Sequence, residues 1–251
     1  MSAETVQRSS FARVPAAFRL QFTVPSALIG VPAMVFVGAW AIALGIVFWI
    51  HFGTDRGPEP AMEPMYTGAS QAALWTLLFM AAYSATHTFP FAMALSFSRR
   101  VFVIGAFLAF AVVSVAFGVA YAFAAWVERI TNGYGIEAYN FDLPYLTDGP
   151  GGIVSAGLAL AVLCLLLMLA SFGFTIMYQR LGLKLFWVVL LGLVVVLAAV
   201  VVLITTNGGW GSVGEWFLQQ SALSLAGWLT LPAVGIGLLT YAMIRKSVPM
   251  S

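Results

Sequence analysis

Leu185-Phe186-Trp187-Val188-Val189-Leu190-Leu191-Gly192-Leu193-Val194-Val195-Val196-Leu197-Ala198-Ala199-Val200-Val201-Val202-Leu203-Ile204 runs without a charge or an amide side chain. At 1.5 Å per residue, about 20 such residues make a helix as long as the hydrocarbon core of a bilayer is thick, about 30 Å. The run has no polar face to offer water, so it reads as a membrane helix that faces lipid. Five further stretches match it in length and lack of formal charge: 31–52, 69–91, 101–126, 152–177 and 221–244. Composition agrees. Hydrophobic residues make up 62% of the 251 and charged residues 8%, against roughly 25% charged in a soluble domain. The fold predicted is an all-α integral membrane protein: six transmembrane helices within 31–245, an arm with an interfacial helix over 1–30, and a short cytoplasmic tail, 246–251.

Charge placement orients the spans. Arg8, Arg13 and Arg19 precede the first, Arg99 and Arg100 join the second to the third, Arg180 and Lys184 the fourth to the fifth, and Arg245 and Lys246 follow the last. The other connections hold Asp55, Glu59, Glu63, Glu128, Glu137, Asp142, Asp148 and Glu215 against only Arg56 and Arg129. Basic segments stay in the cytoplasm, so both termini are expected inside. The first span is too long and starts too late for a cleaved signal peptide.

The same inventory excludes several chemistries. A net charge of +2 implies no nucleic-acid partner. No ionisable group lies within a span except His87, which counts against a proton- or sodium-driven carrier. His51 is expected at the outer end of the first span and His87 near the inner end of the second, so the membrane thickness keeps them from ligating one haem. No H-E-x-x-H or G-x-S-x-G occurs, and Cys164 is the only cysteine. A phosphate-binding loop needs a lysine between Gly and Ser or Thr. Lys184 lies between leucines and Lys246 follows Arg245, so no ATPase site is expected in this chain.

Spacing predicts some of the packing. Ser114, Gly118 and Ala122 in the third span, and Gly157 and Ala161 in the fourth, form small-residue faces that let helices approach closely. Gly38, Ala41 and Gly45 predict a third such face, on the first span. Before that span, Phe11, Val14, Phe18 and Phe22 recur at helical spacing with Arg13 and Arg19 off the stripe. Pro15 suits an early helical position, and the segment reads as an amphipathic helix in the inner interface. The aromatic-rich connection 128–150 predicts an outer interfacial segment or ordered cap, and 207–218 a shallow re-entrant or interfacial helix.

The stretch Thr88-Phe89-Pro90-Phe91-Ala92-Met93-Ala94-Leu95-Ser96-Phe97-Ser98-Arg99-Arg100-Val101-Phe102-Val103-Ile104-Gly105 joins the second and third spans. It is expected to leave the membrane at Pro90 as a short apolar helix. A loop needing only solvation would be polar throughout, whereas this one keeps Phe91, Leu95 and Phe97 beside an arginine pair, which suits a protein contact. Its F-P-F-A-x-x-x-x-x-S-R-R-x-F-x-x-G pattern resembles the inner loop of six-helix ABC-transporter permeases of the exporter-like second type. That resemblance implies an elbow helix before the first span (Phe11, Arg13, Phe18, Arg19) and a coupling helix against a separate ATPase (Phe91, Leu95, Ser98, Arg99, Arg100). It also implies a second permease chain, ATP and Mg bound by the ATPase rather than by this chain, and a bacterial cytoplasmic membrane. Thr76, Met80, Tyr83 and His87 form a polar stripe on the second span. Thr76, Tyr83 and His87 are candidates to line a pathway, or else interhelical hydrogen-bonding groups in a packed bundle. Three other readings stay open: a substrate-binding membrane subunit of an importer, a non-transporting immunity or assembly protein and, last for want of any catalytic set, a membrane enzyme.

Overall fold

The computed structural model describes residues 12–23, 26–53 and 64–246. Phe11, the arm before it and most of the first outer connection lie outside the described residues. Within them the regular structure is helical apart from one pair of two-residue strands. In order come α1 (Val14–Leu20), a π-helical turn (Ser26–Gly30), α2 (Val31–Gly53), β1 (Met65–Tyr66), a 3-10 turn (Ala69–Gln71) and α3 (Ala72–Tyr83). A second π-helical turn (Ser84–Thr88), α4 (Phe89–Ala94), α5 (Arg99–Ile130), β2 (Ala138–Tyr139), α6 (Pro144–Thr147), α7 (Gly152–Thr206), α8 (Trp210–Gln219) and α9 (Ala222–Lys246) follow.

Four helical stretches are long and apolar enough to cross a membrane: Leu28–Gly53, Arg99–Ile130, Gly152–Thr206 and Ala222–Ile244. The third has 55 residues, more than twice what a bilayer core needs at 1.5 Å per residue. Gly182 interrupts it, with φ 70° and ψ 171°, a conformation that glycine alone adopts without strain. The sequence predicts a connection over 178–184. The structure has one glycine there, with helix on both sides.

The short apolar helix predicted at Pro90 is α4, with Pro90 in its first turn, and it continues from α3 without a break. The caps around the π turn are helical at Tyr83, Ser84, Thr88 and Phe89, so α3, the turn and α4 form one continuous helical rod. Proline lacks an N–H and blocks regular i→i−4 bonding, and a π turn is one way a helix absorbs such a defect. Two carbonyls of this rod are met from α7. Gln179 Nε2 donates to Ala85 at 3.1 Å and Ser171 Oγ to Leu78 at 2.7 Å.

The core sits where α3, α5 and α7 meet. Phe102, Phe110, Phe172, Met168 and Leu77 are fully buried there, and the Phe172 ring meets Phe110 edge-on at 5.5 Å. The small-residue faces of α5 and α7 pack as their spacing predicts. A Cβ on Gly118 would stand 2.5 Å from the Gly157 carbonyl oxygen, and one on Gly157 2.8 Å from Ala122 Cβ. The face predicted on α2 meets no other element among the described residues: nothing lies within 4 Å of a Cβ on Gly38 or Gly45. In the second half of α7, Leu191, Val195 and Leu203 are each about 60% exposed, as a lipid-facing helix requires.

The connection after α5 is an ordered cap. Glu128 is wholly buried and accepts from the successive backbone N–H groups of Asn140, Phe141 and Asp142 at 2.8–3.1 Å. Arg129 grips Asp142 with two bonds, at 2.9 and 2.7 Å, and reaches Asp148 at 3.2 Å. β1 and β2 pair in parallel, Met65 with Ala138 and Tyr66 with Tyr139, which joins the segment before α3 to the cap. Trp40 Nε1 donates to the Tyr134 hydroxyl at 3.2 Å. Burial raises the Tyr134 phenol above its ordinary pKa, and the Trp40 bond opposes that shift.

Candidate functional site: the α4–α5 turn and the helix docked on it

The turn between α4 and α5 is built by local rules. Leu95 caps α4, and Ser96 takes the left-handed conformation, φ 58°. Ser96 N bonds Met93 O at 3.0 Å, and Phe97 N bonds Ala92 O at 3.1 Å, which is the Schellman pattern. Glycine usually holds the left-handed position, and serine here accepts a modest conformational cost. Ser98 then caps α5 in an extended conformation, its Oγ accepting from Val101 N at 3.4 Å. Ser98 is therefore structural in this chain, whatever else it touches.

α1 docks on this turn. Its own limits are shorter than the predicted amphipathic segment, Val14–Leu20, with Pro15 in the first turn. Arg13 donates to the carbonyl oxygens of Ser96 at 3.0 Å and Leu95 at 3.3 Å. Its guanidinium also lies 4.3 Å from the centre of the Phe97 ring, a cation–π contact. The last glycine of the resemblance pattern permits the approach. A Cβ on Gly105 would fall 2.7 Å from Ala17 Cβ and 2.8 Å from the Ala17 and Phe18 backbone. Ala17 is fully buried, so the closest face of α1 is its small residue rather than the phenylalanine stripe. Phe18 is half-buried against Phe22, rings 5.1 Å apart, and Arg19 is exposed in the last turn.

The other predicted coupling residues sort by exposure. Phe91 is 52% exposed and Leu95 45%. Arg100 and Ser98 are exposed and Arg99 half-buried. Behind them Ala92 and Phe102 are fully buried, with Phe89 packed on Phe102 at 5.2 Å. The segment thus shows a buried side toward α5 and an apolar exposed side.

The predicted polar stripe from Thr76 to His87 is divided along the α3–α4 rod. Thr76 is satisfied within its own helix, Oγ1 to Ala72 O at 3.0 Å. Tyr83 and His87 stack face to face, centroids 4.3 Å apart at 13°, with Thr86 Oγ1 2.7 Å from His87 Nδ1. They line a cleft of about 270 Å³ between α1 and the rod, together with Gln21, Met80, Thr88 and Phe91. Thr76 does not line it. Sequence reasoning missed Gln21, which is 4% exposed and accepts from Ser84 Oγ at 2.7 Å. The only available signal was an amide sitting on an otherwise apolar helical face.

At the other end, α8 has no buried residue. Trp216 packs edge-on against Trp228 at 5.7 Å, and the Tyr145 hydroxyl donates to the Phe217 carbonyl. Among the described residues no group of histidine, cysteine and acids is arranged to hold a metal. Comparison with protein-family models, curated proteins and solved structures yields no match.

Proposed function

We propose that this chain is the membrane-spanning permease subunit of an ABC transporter, working as an exporter in the bacterial cytoplasmic membrane. In this reading six spans cross with both termini inside: α2, the α3–α4 rod, α5, the two halves of α7, and α9. A second permease chain completes the pathway, and a separate ATPase binds ATP and Mg. The reading is supported chiefly by the tie from Arg13 to the Leu95–Phe97 turn, which joins interfacial helix and inner turn into one body. A push on the exposed Phe91–Leu95 side reaches α1 and α5 together, as a rigid-body transition needs. Because the α3–α4 rod has no break at Pro90, the same push travels along the second span.

The test is co-purification of an ATPase chain, then Leu95→Asp, which keeps the arginine pair and charges the apolar side. An unpaired carboxylate at a protein contact costs several kcal/mol, and each 1.4 is tenfold in affinity. The ATPase should dissociate, or stay bound with transport uncoupled, while the chain still inserts. Transport by the reconstituted chain without an ATPase, or an unchanged Leu95→Asp complex, overturns the reading.

A further inference from the structure

A cleft of about 470 Å³ lies between the first half of α7 and α9. Val162 and Leu165 line it from α7, Val234 and Leu238 from α9. A Cβ on Gly237 would stand 3.7 Å from Phe107 and 3.9 Å from Leu169, in ordinary contact, so these three residues close it beneath. Val234 and Leu238, 54% and 66% exposed, form an open rim. Two hydroxyls lie on the lining, at Thr230 and Tyr241. Thr230 Oγ1 bonds Ala226 O at 2.8 Å, and Tyr241 is half-buried. They stand about 16 Å apart along α9 at 1.5 Å per residue, close to the depth of one leaflet in a core about 30 Å thick. Past Tyr241 lies Arg180, exposed, with one hydrogen bond to Met243 O at 3.3 Å. Neither α7 nor α9 contains an acid.

We infer that this cleft holds one acyl chain of a phospholipid from the leaflet on the Arg180 side. The phosphate lies at Arg180, the ester beside Tyr241 and the methyl end near Thr230. Apolar walls running the depth of one leaflet match a hydrocarbon chain in both chemistry and length. An exposed guanidinium at one end only, with no acid on either helix, selects a phosphate at that end. The proposal needs these helices to lie in a membrane but does not depend on the ATPase reading. It is tested on the purified chain without nucleotide, so the two fail separately.

The full chain is reconstituted in phosphatidylglycerol vesicles that carry a small share of the same lipid with a photoreactive diazirine on one acyl chain. The diazirine sits either near the methyl end or beside the ester, and cross-linked residues are mapped by mass spectrometry. The methyl-end lipid should label Val162 and Thr230, and the ester-side lipid Leu238 and Tyr241. Each should exceed severalfold the labelling of Val195 and Val188, which stand exposed in the second half of α7 and meet ordinary solvating lipid. Leu165→Trp fills the cleft and should cut its labelling about fivefold. Val162→Phe adds less bulk, should cut labelling severalfold at Thr230, and serves if the tryptophan variant fails to fold. Arg180→Gln should lower cleft labelling severalfold by loss of the phosphate contact. Four results overturn the proposal. They are labelling no stronger in the cleft than at Val195 and Val188, methyl-end and ester-side lipids labelling the same end, unchanged labelling in the folded filling variant, and unchanged labelling in Arg180→Gln. A cleft covered by a second copy of the chain gives the first of these.

Discussion

Arg13 donates a 3.0 Å hydrogen bond to the carbonyl oxygen of Ser96, 83 residues away in the chain. The acceptor is well placed because Ser96 is left-handed, so the turn after α4 ends with its carbonyls turned toward α1. A guanidinium fork reaches both Ser96 and Leu95 while stacking on Phe97. Lysine carries the same charge but has neither the fork nor the plane.

Arg13→Lys therefore separates charge from geometry. Orientation in the membrane should be unchanged, since the basic count before the first span is kept. The contact is exposed, so the stability loss should stay near about 1 kcal/mol. Hydrogen exchange in α1 should rise severalfold. On the proposed function, coupling between ATP hydrolysis and transport should fall while the complex stays assembled. Unaltered exchange in α1 would mean that the tie does not hold the helix.

Gly105→Ala tests the same docking from beneath. The added methyl meets the Ala17 and Phe18 backbone at 2.8 Å, and backbone cannot swing aside as a side chain does. Overpacking of this kind typically costs 1–3 kcal/mol. The expected result is a lower melting temperature with α1 more open to protease. A control at Gly38, where nothing stands within 4 Å, should be close to neutral.

These two glycines show what was legible in the sequence. Helix existence followed from apolar length, and the α5–α7 contact from small residues four apart, because both are local properties of one chain segment. The small residues of α2, three and four apart, meet nothing among the described residues, since a small-residue face says a helix can be approached but not by what. The role of Ser98 as a cap was readable in principle from serine before a helix start. Gln21 and Ser84 were not readable, because their contact joins segments 63 residues apart. The break between the two halves of α7 was legible from Arg180 and Lys184, and the structure interrupts the helix between them, at Gly182.

The cap offers a stability test. Both carboxylate oxygens of Glu128 accept, one from Asn140 N and Asn140 Nδ2, the other from Asn140, Phe141 and Asp142 N. Glu128→Gln turns one acceptor into a donor facing other donors. With an unmet buried group costing about 1–3 kcal/mol, the loss should be about 3 kcal/mol, read as a lower melting temperature. Asp148→Asn, on the exposed limb of the Arg129 network, should cost under about 1 kcal/mol. Equal effects would mean that the cap rests on surface ion pairs instead of the buried carboxylate.

The last prediction concerns orientation. In a Cys164→Ala background, single cysteines are placed at Glu137, exposed on the cap, and at Ser98, exposed on the turn between α4 and α5. A membrane-impermeant maleimide applied to intact cells should label Glu137→Cys. Ser98→Cys should react only after the cells are broken, since basic segments remain inside. Asn140→Cys is the internal control: Asn140 is wholly buried beneath Glu128 and the cap, so it should resist the reagent on both sides of the membrane until the protein is unfolded. That third position separates a side-of-membrane effect from simple burial. Labelling of Ser98→Cys in sealed cells would place the Arg13-held turn outside, where no ATPase could reach it, and the proposed function would fall with the topology.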